Sequence, residues 1–300
     1  MKISITGGNG FVGSNLTKFL LNKKLKVVKL NIRLESWKTD LNKDSDAIIH
    51  LAGKAHDTAN TSSSEEYFRV NRDLTIELFK EFLKSDIKDF FYFSSVKAVA
   101  DTVDGVLNED VIPNAITPYG QSKLEAEQYL LNQKLPGGKR LFIIRPCMIH
   151  GPGNKGNLNL LYKIVEKGIP WPLASFQNKR SFLSIDNLNV LIFSMLQNKS
   201  VVSGIYNFAD DESLSTNQLV ILISKTLGRR QKLWNIPAGL IQKGVKFGDF
   251  ISLPLNSERL KKLTESYVVS NDKIKSALNI GKLPLTAEEG LEITIKSFKK

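Results

Sequence analysis

A tyrosine and a lysine stand four residues apart near the middle of the chain, at Tyr119 and Lys123. If a helix begins here, this spacing places both side chains on one face. An ammonium group close to a phenol lowers the pKa of the phenol, so the tyrosine can exchange a proton near neutral pH. The pair follows Ser94 and Ser95, which end a predicted strand, and ligands of open α/β sheets bind at such strand ends. The spacing therefore predicts an acid/base centre.

A glycine-rich loop lies in the first dozen residues, where Gly7, Gly10 and Gly13 recur between a β-branched run and an amphipathic segment. Small residues let the chain turn tightly, approach a pyrophosphate and pack a helix closely on a strand. The helix that follows then offers its N–H groups and the positive end of its dipole to the phosphates. This arrangement predicts dinucleotide binding.

The segment about 20 residues beyond the loop bears on the choice of dinucleotide. Asn31 stands where a carboxylate would bind the adenosine ribose of NAD, and Arg33 follows it. An arginine at this position can pair with a 2′-phosphate. The sequence therefore favours NADP(H) as cofactor, with NAD(H) as the alternative. The simpler interpretation of Arg33 is that it is a solvated surface residue.

Strands and helices alternate along the first half of the chain, which predicts parallel βαβ units and a doubly wound α/β sheet of the Rossmann type. Prolines become more frequent after about residue 151, and we expect residues 1–150 to form the nucleotide-binding core and residues 151–300 mainly a smaller substrate lobe. Ser215 with Gln218, and Thr286 with Glu289, have the spacing of capping boxes. The predicted strands are 2–6, 26–30, 47–51, 90–94, 141–145 and 204–209, and the predicted core helices are 11–23, 64–85 and 122–133.

Composition excludes several classes of protein. The chain has 300 residues, 42% hydrophobic and 24% charged, which is typical of a folded globular protein and not of a disordered one. One cysteine excludes an internal disulfide, and three widely spaced histidines form no metal-ligand pattern. No run of about 18 apolar residues is present to span a bilayer, and the N-terminus is not a signal peptide, so we expect a cytoplasmic protein.

In this order and spacing, a series of short motifs resembles the extended short-chain dehydrogenase/reductases that modify nucleotide sugars, and the resemblance covers essentially the whole chain. The motifs are TGGNGFVG at 6–13, DL at 40–41, HLAG at 50–53, VN at 70–71, FSS at 93–95, Tyr119 to Lys123, RP at 145–146, GPG at 151–153, KRSF at 179–182 and EEGL at 288–291. The resemblance implies a nicotinamide cofactor, a nucleotide-sugar substrate and a homodimer formed through the helices at 64–85 and 122–133.

The resemblance also implies roles for individual residues. Tyr119 would be the acid/base, Lys123 would bind the nicotinamide ribose and tune Tyr119, and Ser95 would hydrogen-bond the reacting oxygen. Asn71 would support the backbone of the active site. The remaining cofactor-binding candidates are Gly7, Gly10, Phe11, Val12, Gly13, Asn31, Arg33, Asp40, Leu41, Leu51, Ala52, Gly53, Ser94 and Pro146, and the substrate-binding candidates are Lys54, Lys97, Asn157, Arg180 and Arg259.

Among the reactions of this family, a dehydratase would need an acidic pair beside the catalytic serine, and Ser95-Val96-Lys97 has none. The sequence is most similar to UDP-sugar 4-ketoreductases and 4-epimerases of polysaccharide synthesis. The preference for NADP(H) favours the reductase, because a cofactor that is released after reaction is usually the phosphorylated one. The 4-epimerase with tightly bound NAD, and a non-catalytic cofactor-sensing protein, are the alternatives.

The net charge of +12 suits an anionic partner. A nucleic-acid-binding protein would cluster lysine and arginine among aromatic residues, whereas the cations here are mostly scattered, so we expect no nucleic acid. One basic and apolar stretch, residues 228–262, is interpreted as lobe packing with a solvated face, and a peripheral membrane contact is the alternative.

Overall fold

The computed structural model of the chain describes residues 1–54, 63–154, 156–243 and 257–299. Six strands form its central sheet, and all neighbouring pairs in it are parallel, as a doubly wound fold requires. The strands are β1 (Lys2–Thr6), β2 (Lys26–Leu30), β3 (Ala47–His50), β4 (Asp89–Phe93), β5 (Val106–Leu107), β6 (Arg140–Pro146), β7 (Met148–His150), β8 (Arg180–Ser184), β9 (Gly204–Phe208), β10 (Ser213–Leu214) and β11 (Val268–Val269).

The strand order in the central sheet is β2-β1-β3-β4-β6-β9. The chain runs outward from β1 to β2 and then returns to the other side of β1 with β3. The direction of winding therefore reverses between β1 and β3, and such a switch point is where doubly wound sheets leave a crevice for a ligand. Two smaller sheets, β10-β8-β7 and β11-β5, lie beside the central one.

Helices cover both faces of the sheet. They are α1 (Phe11–Asn22), α2 (Trp37–Asp40), α3 (Ser64–Tyr67), α4 (Leu74–Lys84), α5 (Pro118–Leu131), α6 (Asn157–Glu166), α7 (Ile185–Gln197), α8 (Thr216–Thr226), α9 (Ser257–Thr264), α10 (Asp272–Leu278) and α11 (Ala287–Lys296). A π-helical segment, Phe68–Asp73, joins α3 to α4 without a break. Both predicted capping boxes are present, at the N-termini of α8 and α11.

Helix α5 begins one turn earlier than the predicted 122–133. The Thr117 side chain accepts a hydrogen bond from the backbone N–H of Gly120 at 3.2 Å, and Pro118 occupies the first turn. A side-chain cap followed by proline is a strong helix start. As a result Tyr119 and Lys123 both lie within the helix, one turn apart.

The strands alternate their side chains between two apolar layers. In β4, Phe91 and Phe93 belong to the layer beneath α1 and α7, whereas Phe90 and Tyr92 belong to the layer beneath α4 and α5. Arg145 of β6 is also buried and forms an ion pair with Glu127 of α5. This pair fixes α5, and with it Tyr119 and Lys123, against the carboxyl half of the sheet.

Candidate active site

The glycine loop after β1 is packed too tightly for a larger residue at Gly7 and Gly13. Gly7 has φ +68°, and a Cβ on it would stand 2.6 Å from the backbone nitrogen of Ala52. A Cβ on Gly13 would stand 2.2 Å from the carbonyl oxygen of Gly7. Gly10 is the N-cap of α1 and gives the helix no side-chain cap, so the first N–H groups stay available to an anion. The loop therefore fits the pyrophosphate of a dinucleotide.

The carboxyl end of β2 carries cations and no carboxylate. Asn31 and Arg33 are exposed, and the Asn31 side chain accepts a hydrogen bond from the backbone N–H of Arg33 at 3.2 Å. Lys29, two residues before Asn31, reaches back to the glycine loop and donates from Nζ to Asn9 Oδ1 at 2.9 Å. Sequence reasoning missed Lys29, although its spacing from Asn31 places the two side chains on one face of the strand.

Asn71 lies in the π-helical segment and is fully buried. Its Oδ1 accepts from the backbone N–H of Lys54 at 2.8 Å, and its Nδ2 donates to the Lys54 carbonyl and to Ser122 Oγ, both at 3.1 Å. Single π-helical turns are frequent at functional sites because they redirect a side chain. Asn71 thereby ties the segment after β3 to α5, and its role in supporting the active site stays a prediction.

Tyr119 and Ser95 meet at the carboxyl end of β4. The two side chains are hydrogen-bonded to one another, and Ser95 Oγ also accepts from the backbone N–H of Lys97 at 3.2 Å. A Cβ on Gly120 would stand 2.3 Å from the Lys97 carbonyl oxygen, so only glycine lets α5 approach the serine this closely. The structure therefore brings together the serine and tyrosine that the sequence placed 24 residues apart.

The pKa of Tyr119 is shifted in the direction opposite to the sequence prediction. Burial raises it above its usual value, and the hydrogen bond with Ser95 offsets this only in part. The ammonium of Lys123 is directed elsewhere: Nζ donates to the Phe93 carbonyl at 2.8 Å and lies 4.9 Å from the centre of the Tyr92 ring. At neutral pH the phenol is accordingly protonated and ready to donate.

Lys123 itself is 5% exposed, and burial lowers its pKa to about 8. Its Nζ would lie 3.2 Å from a Cβ on Gly53, so the glycine of the segment after β3 leaves room for the ammonium. The lysine thus sits between the ends of β3 and β4, on the path from the glycine loop to Tyr119.

His50, at the end of β3, is a structural residue. Its two ring nitrogens lie 2.6 Å from Thr6 Oγ1 and 2.9 Å from Thr75 Oγ1, and its ring stacks on Tyr92. Burial, reinforced by the charge of Lys123, lowers the pKa of His50 to about 3. The neutral ring links β1, α4 and β4 beneath the glycine loop.

The other cofactor candidates differ in exposure. Phe11, Val12, Leu51 and Ala52 are half-buried along the crevice, Gly53 and Asp40 are exposed, and Ser94, Pro146 and Leu41 are buried. Leu41 is 4% exposed, packed in the apolar layer beneath α4 and α5.

Two of the substrate candidates, Lys54 and Lys97, have side chains that bond within the chain. Lys54 Nζ forms an ion pair with Glu66 at 2.8 Å. Lys97 Nζ donates to the Asp101 carbonyl at 2.7 Å and lies 4.5 Å from the centre of the Tyr267 ring. Arg180 begins β8, where its backbone pairs with that of Tyr267. The side chains of Asn157 and Arg259 lie outside the described residues.

Tyr267 is a contributor that sequence reasoning missed. Its hydroxyl donates to the carbonyls of Val96 at 3.2 Å and Ala100 at 2.8 Å, so it holds the turn that follows Ser95 against the C-terminal half. No local pattern marks this residue, because its partners lie more than 160 positions away.

The chain is similar in sequence to known proteins. A model of the NAD dependent epimerase/dehydratase family matches residues 3–209. The UDP-glucose 4-epimerase of Vibrio cholerae is 30% identical over 99% of this chain and 95% of that protein. The GDP-6-deoxy-D-mannose reductase of Pseudomonas aeruginosa is 28% identical over 51% of this chain and 54% of that protein.

The fold matches that of RMD from Pseudomonas aeruginosa complexed with NADPH, with a TM-score of 0.78 and 18% identity over the full length of both chains. Within the described residues, no helix combines the length and the apolar character needed to cross a membrane. The family match, the Rossmann-type sheet and the glycine loop lead to one assignment: the chain belongs to the NAD dependent epimerase/dehydratase family.

Proposed function

We propose that the protein is a cytoplasmic oxidoreductase that reduces a 4-keto group on a UDP-linked sugar, with Tyr119 as proton donor. The observation that carries the proposal is the hydrogen bond between Tyr119 and Ser95 at the carboxyl end of β4, with Lys123 one turn further along α5. Residues 1–150 would bind mainly the cofactor and residues 151–300 mainly the sugar nucleotide.

In this proposal Ser95 holds the oxygen at C4 and Tyr119 transfers the proton to it. Burial keeps the Tyr119 phenol protonated at neutral pH, and this is the form that a reduction consumes. A nicotinamide cofactor supplies hydride transfer when it is bound. Lys123, with a pKa of about 8, is cationic at neutral pH and is anchored to the Phe93 carbonyl; in this proposal it binds the nicotinamide ribose.

We further propose NADP(H) as the preferred cofactor. Asn31 replaces the carboxylate that would repel a 2′-phosphate, and the exposed side chains of Lys29 and Arg33 flank it.

The test is to supply UDP-4-keto sugars with NADPH or NADH and to follow oxidation of the cofactor at 340 nm, the absorbance band of reduced nicotinamide. We expect turnover with NADPH, and loss of roughly a hundredfold or more in Tyr119→Phe. Tyr129→Phe, on the same helix α5, is the matched control. Undiminished turnover in Tyr119→Phe would remove the assignment of Tyr119.

A 4-epimerase is the second candidate, favoured by the similarity to the Vibrio cholerae UDP-glucose 4-epimerase. It would oxidise C4 and return the hydride to the other face, without net consumption of cofactor. A purified protein that retains NAD and interconverts UDP-hexoses would establish this candidate and exclude the reductase.

A homodimer through α4 and α5 stays a proposal that follows from the family resemblance. The two helices pack against each other on one face of the central sheet. Sedimentation equilibrium distinguishes a dimer from the 33.6 kDa chain alone.

A further inference from the structure

We propose that one face of the C-terminal half binds the surface of an anionic lipid bilayer. This face, the basic face, consists of Ile169, Arg229, Arg230, Lys232 and Trp234. It includes none of the residues assigned to catalysis or cofactor binding, so the proposal does not depend on the proposed function.

Half of the net charge of the chain lies in one short stretch of sequence. From 213 to 248 there is no acidic residue, while six positions are lysine or arginine, which gives +6 of the total +12. A general surplus of cations would be spread over the 300 residues. Three cations of this stretch, Arg229, Arg230 and Lys232, lie on the basic face, and each cation near a membrane surface contributes about 1 kcal/mol of attraction to anionic headgroups. The six cations of the stretch are Lys225, Arg229, Arg230, Lys232, Lys243 and Lys246, of which Lys246 lies outside the described residues.

The cations of the basic face border an open cavity of about 170 Å³ between the end of α6 and α8, and its lining is part apolar and part polar. Val165, Ile169 and Val220 line it, and Arg229, Arg230 and Lys232 are at the same opening. Lys232 Nζ donates to the Gly168 carbonyl at 3.1 Å. Three cations at the opening of this cavity are complementary to the phosphodiester of an anionic phospholipid headgroup.

The chain between Lys232 and Trp234 directs alternate side chains outward. The backbone N–H of Trp171 donates to the Lys232 carbonyl, and the backbone N–H of Trp234 donates to the Trp171 carbonyl, both at 2.8 Å. In this extended pairing the Leu233 side chain packs against the apolar core. Because side chains alternate along an extended chain, those of Lys232 and Trp234 point to solvent.

Trp234 is 55% exposed, whereas the other two tryptophans, Trp37 and Trp171, are 4% and 3% exposed. Ile169, at the cavity, is 50% exposed. A tryptophan ring has an apolar body and one N–H donor, which suits the headgroup level of a bilayer. Exposed tryptophan and isoleucine among cations are typical of a surface that lies in a membrane interface.

The test is flotation of the full chain with vesicles of phosphatidylcholine alone or of equal parts phosphatidylcholine and phosphatidylglycerol, at physiological ionic strength. We expect binding to the anionic vesicles only, with a blue shift of tryptophan emission that Trp234→Phe removes, because the other two tryptophans are already buried. The triple variant Arg229→Glu, Arg230→Glu and Lys232→Glu should bind at least about a hundredfold more weakly, from about fivefold per cation.

A second triple variant controls for total charge. Lys43→Glu, Lys134→Glu and Lys282→Glu change three exposed lysines outside the basic face and give the same net charge, and this variant should keep its binding. Equal loss in both triple variants, absence of the blue shift, or tighter binding to a single-stranded nucleic acid than to the anionic vesicles would overturn the proposal.

Discussion

Replacing Lys123 with methionine should remove turnover and also change how the stability of the protein depends on pH. Burial lowers the pKa of this lysine from 10.5 to about 8, which means that the folded state holds the charged form at a cost. At 1.36 kcal/mol per pKa unit, the cost at neutral pH is about 3 kcal/mol. Between pH 8 and 10.5 the unfolded chain binds more protons than the folded one, so the stability of the wild type rises with pH in this window.

Methionine carries no charge and is close to lysine in length, so the variant lacks this dependence. It also leaves the Phe93 carbonyl without the donor that Lys123 provides at 2.8 Å, which costs about 1–3 kcal/mol at any pH. The net change in stability at neutral pH is therefore small. The informative quantity is the difference between variant and wild type, which should move in favour of the wild type by about 2–3 kcal/mol between pH 7 and pH 10.

Urea denaturation of both proteins at pH 7 and pH 10 measures this difference. Lys134→Met, which changes an exposed lysine just beyond α5, is the control and should show no such trend. A difference between Lys123→Met and wild type that stays constant over this pH range would refute the inference that burial of the ammonium sets its pKa.

Two further predictions concern the framework around the site. Gly13→Ala places a Cβ 2.2 Å from the Gly7 carbonyl oxygen, so the loop must shift. We expect the free energy of unfolding to fall by about 1–3 kcal/mol in thermal denaturation, and NADPH binding to be lost in a fluorescence titration. An unchanged affinity for NADPH would contradict the tight packing of the loop. Arg145→Met leaves Glu127 buried without its partner and should lower the free energy of unfolding by about 3–5 kcal/mol in urea denaturation. Adding Glu127→Leu should restore most of this stability, because no unpaired charge is then buried. If the second substitution restored no stability, the unpaired Glu127 charge would not be the cause of the loss.

Much of the fold could be predicted because it is encoded locally. The six predicted strands of the central sheet agree with the observed ones to within one residue at each end, since short β-branched and aromatic runs must be buried on both faces of a parallel sheet. The capping boxes at Ser215 and Thr286 could be read directly, because a cap involves only residues within one turn. Helix α5 begins one turn before the predicted residue 122, because Thr117 caps it and Pro118 occupies its first turn.

The sequence by itself determined the glycine loop, the spacing of Tyr119 and Lys123, and the missing carboxylate at Asn31. Each is a matter of residue type within a few positions. Only the tertiary structure decided the electrostatics: burial reverses the predicted pKa shift of Tyr119, and Lys123 donates to the end of β4. It also decided that Lys29 reaches the glycine loop and that Tyr267 holds the turn after Ser95. A pKa and a long-range hydrogen bond depend on neighbours brought together by folding, and no local pattern records those neighbours.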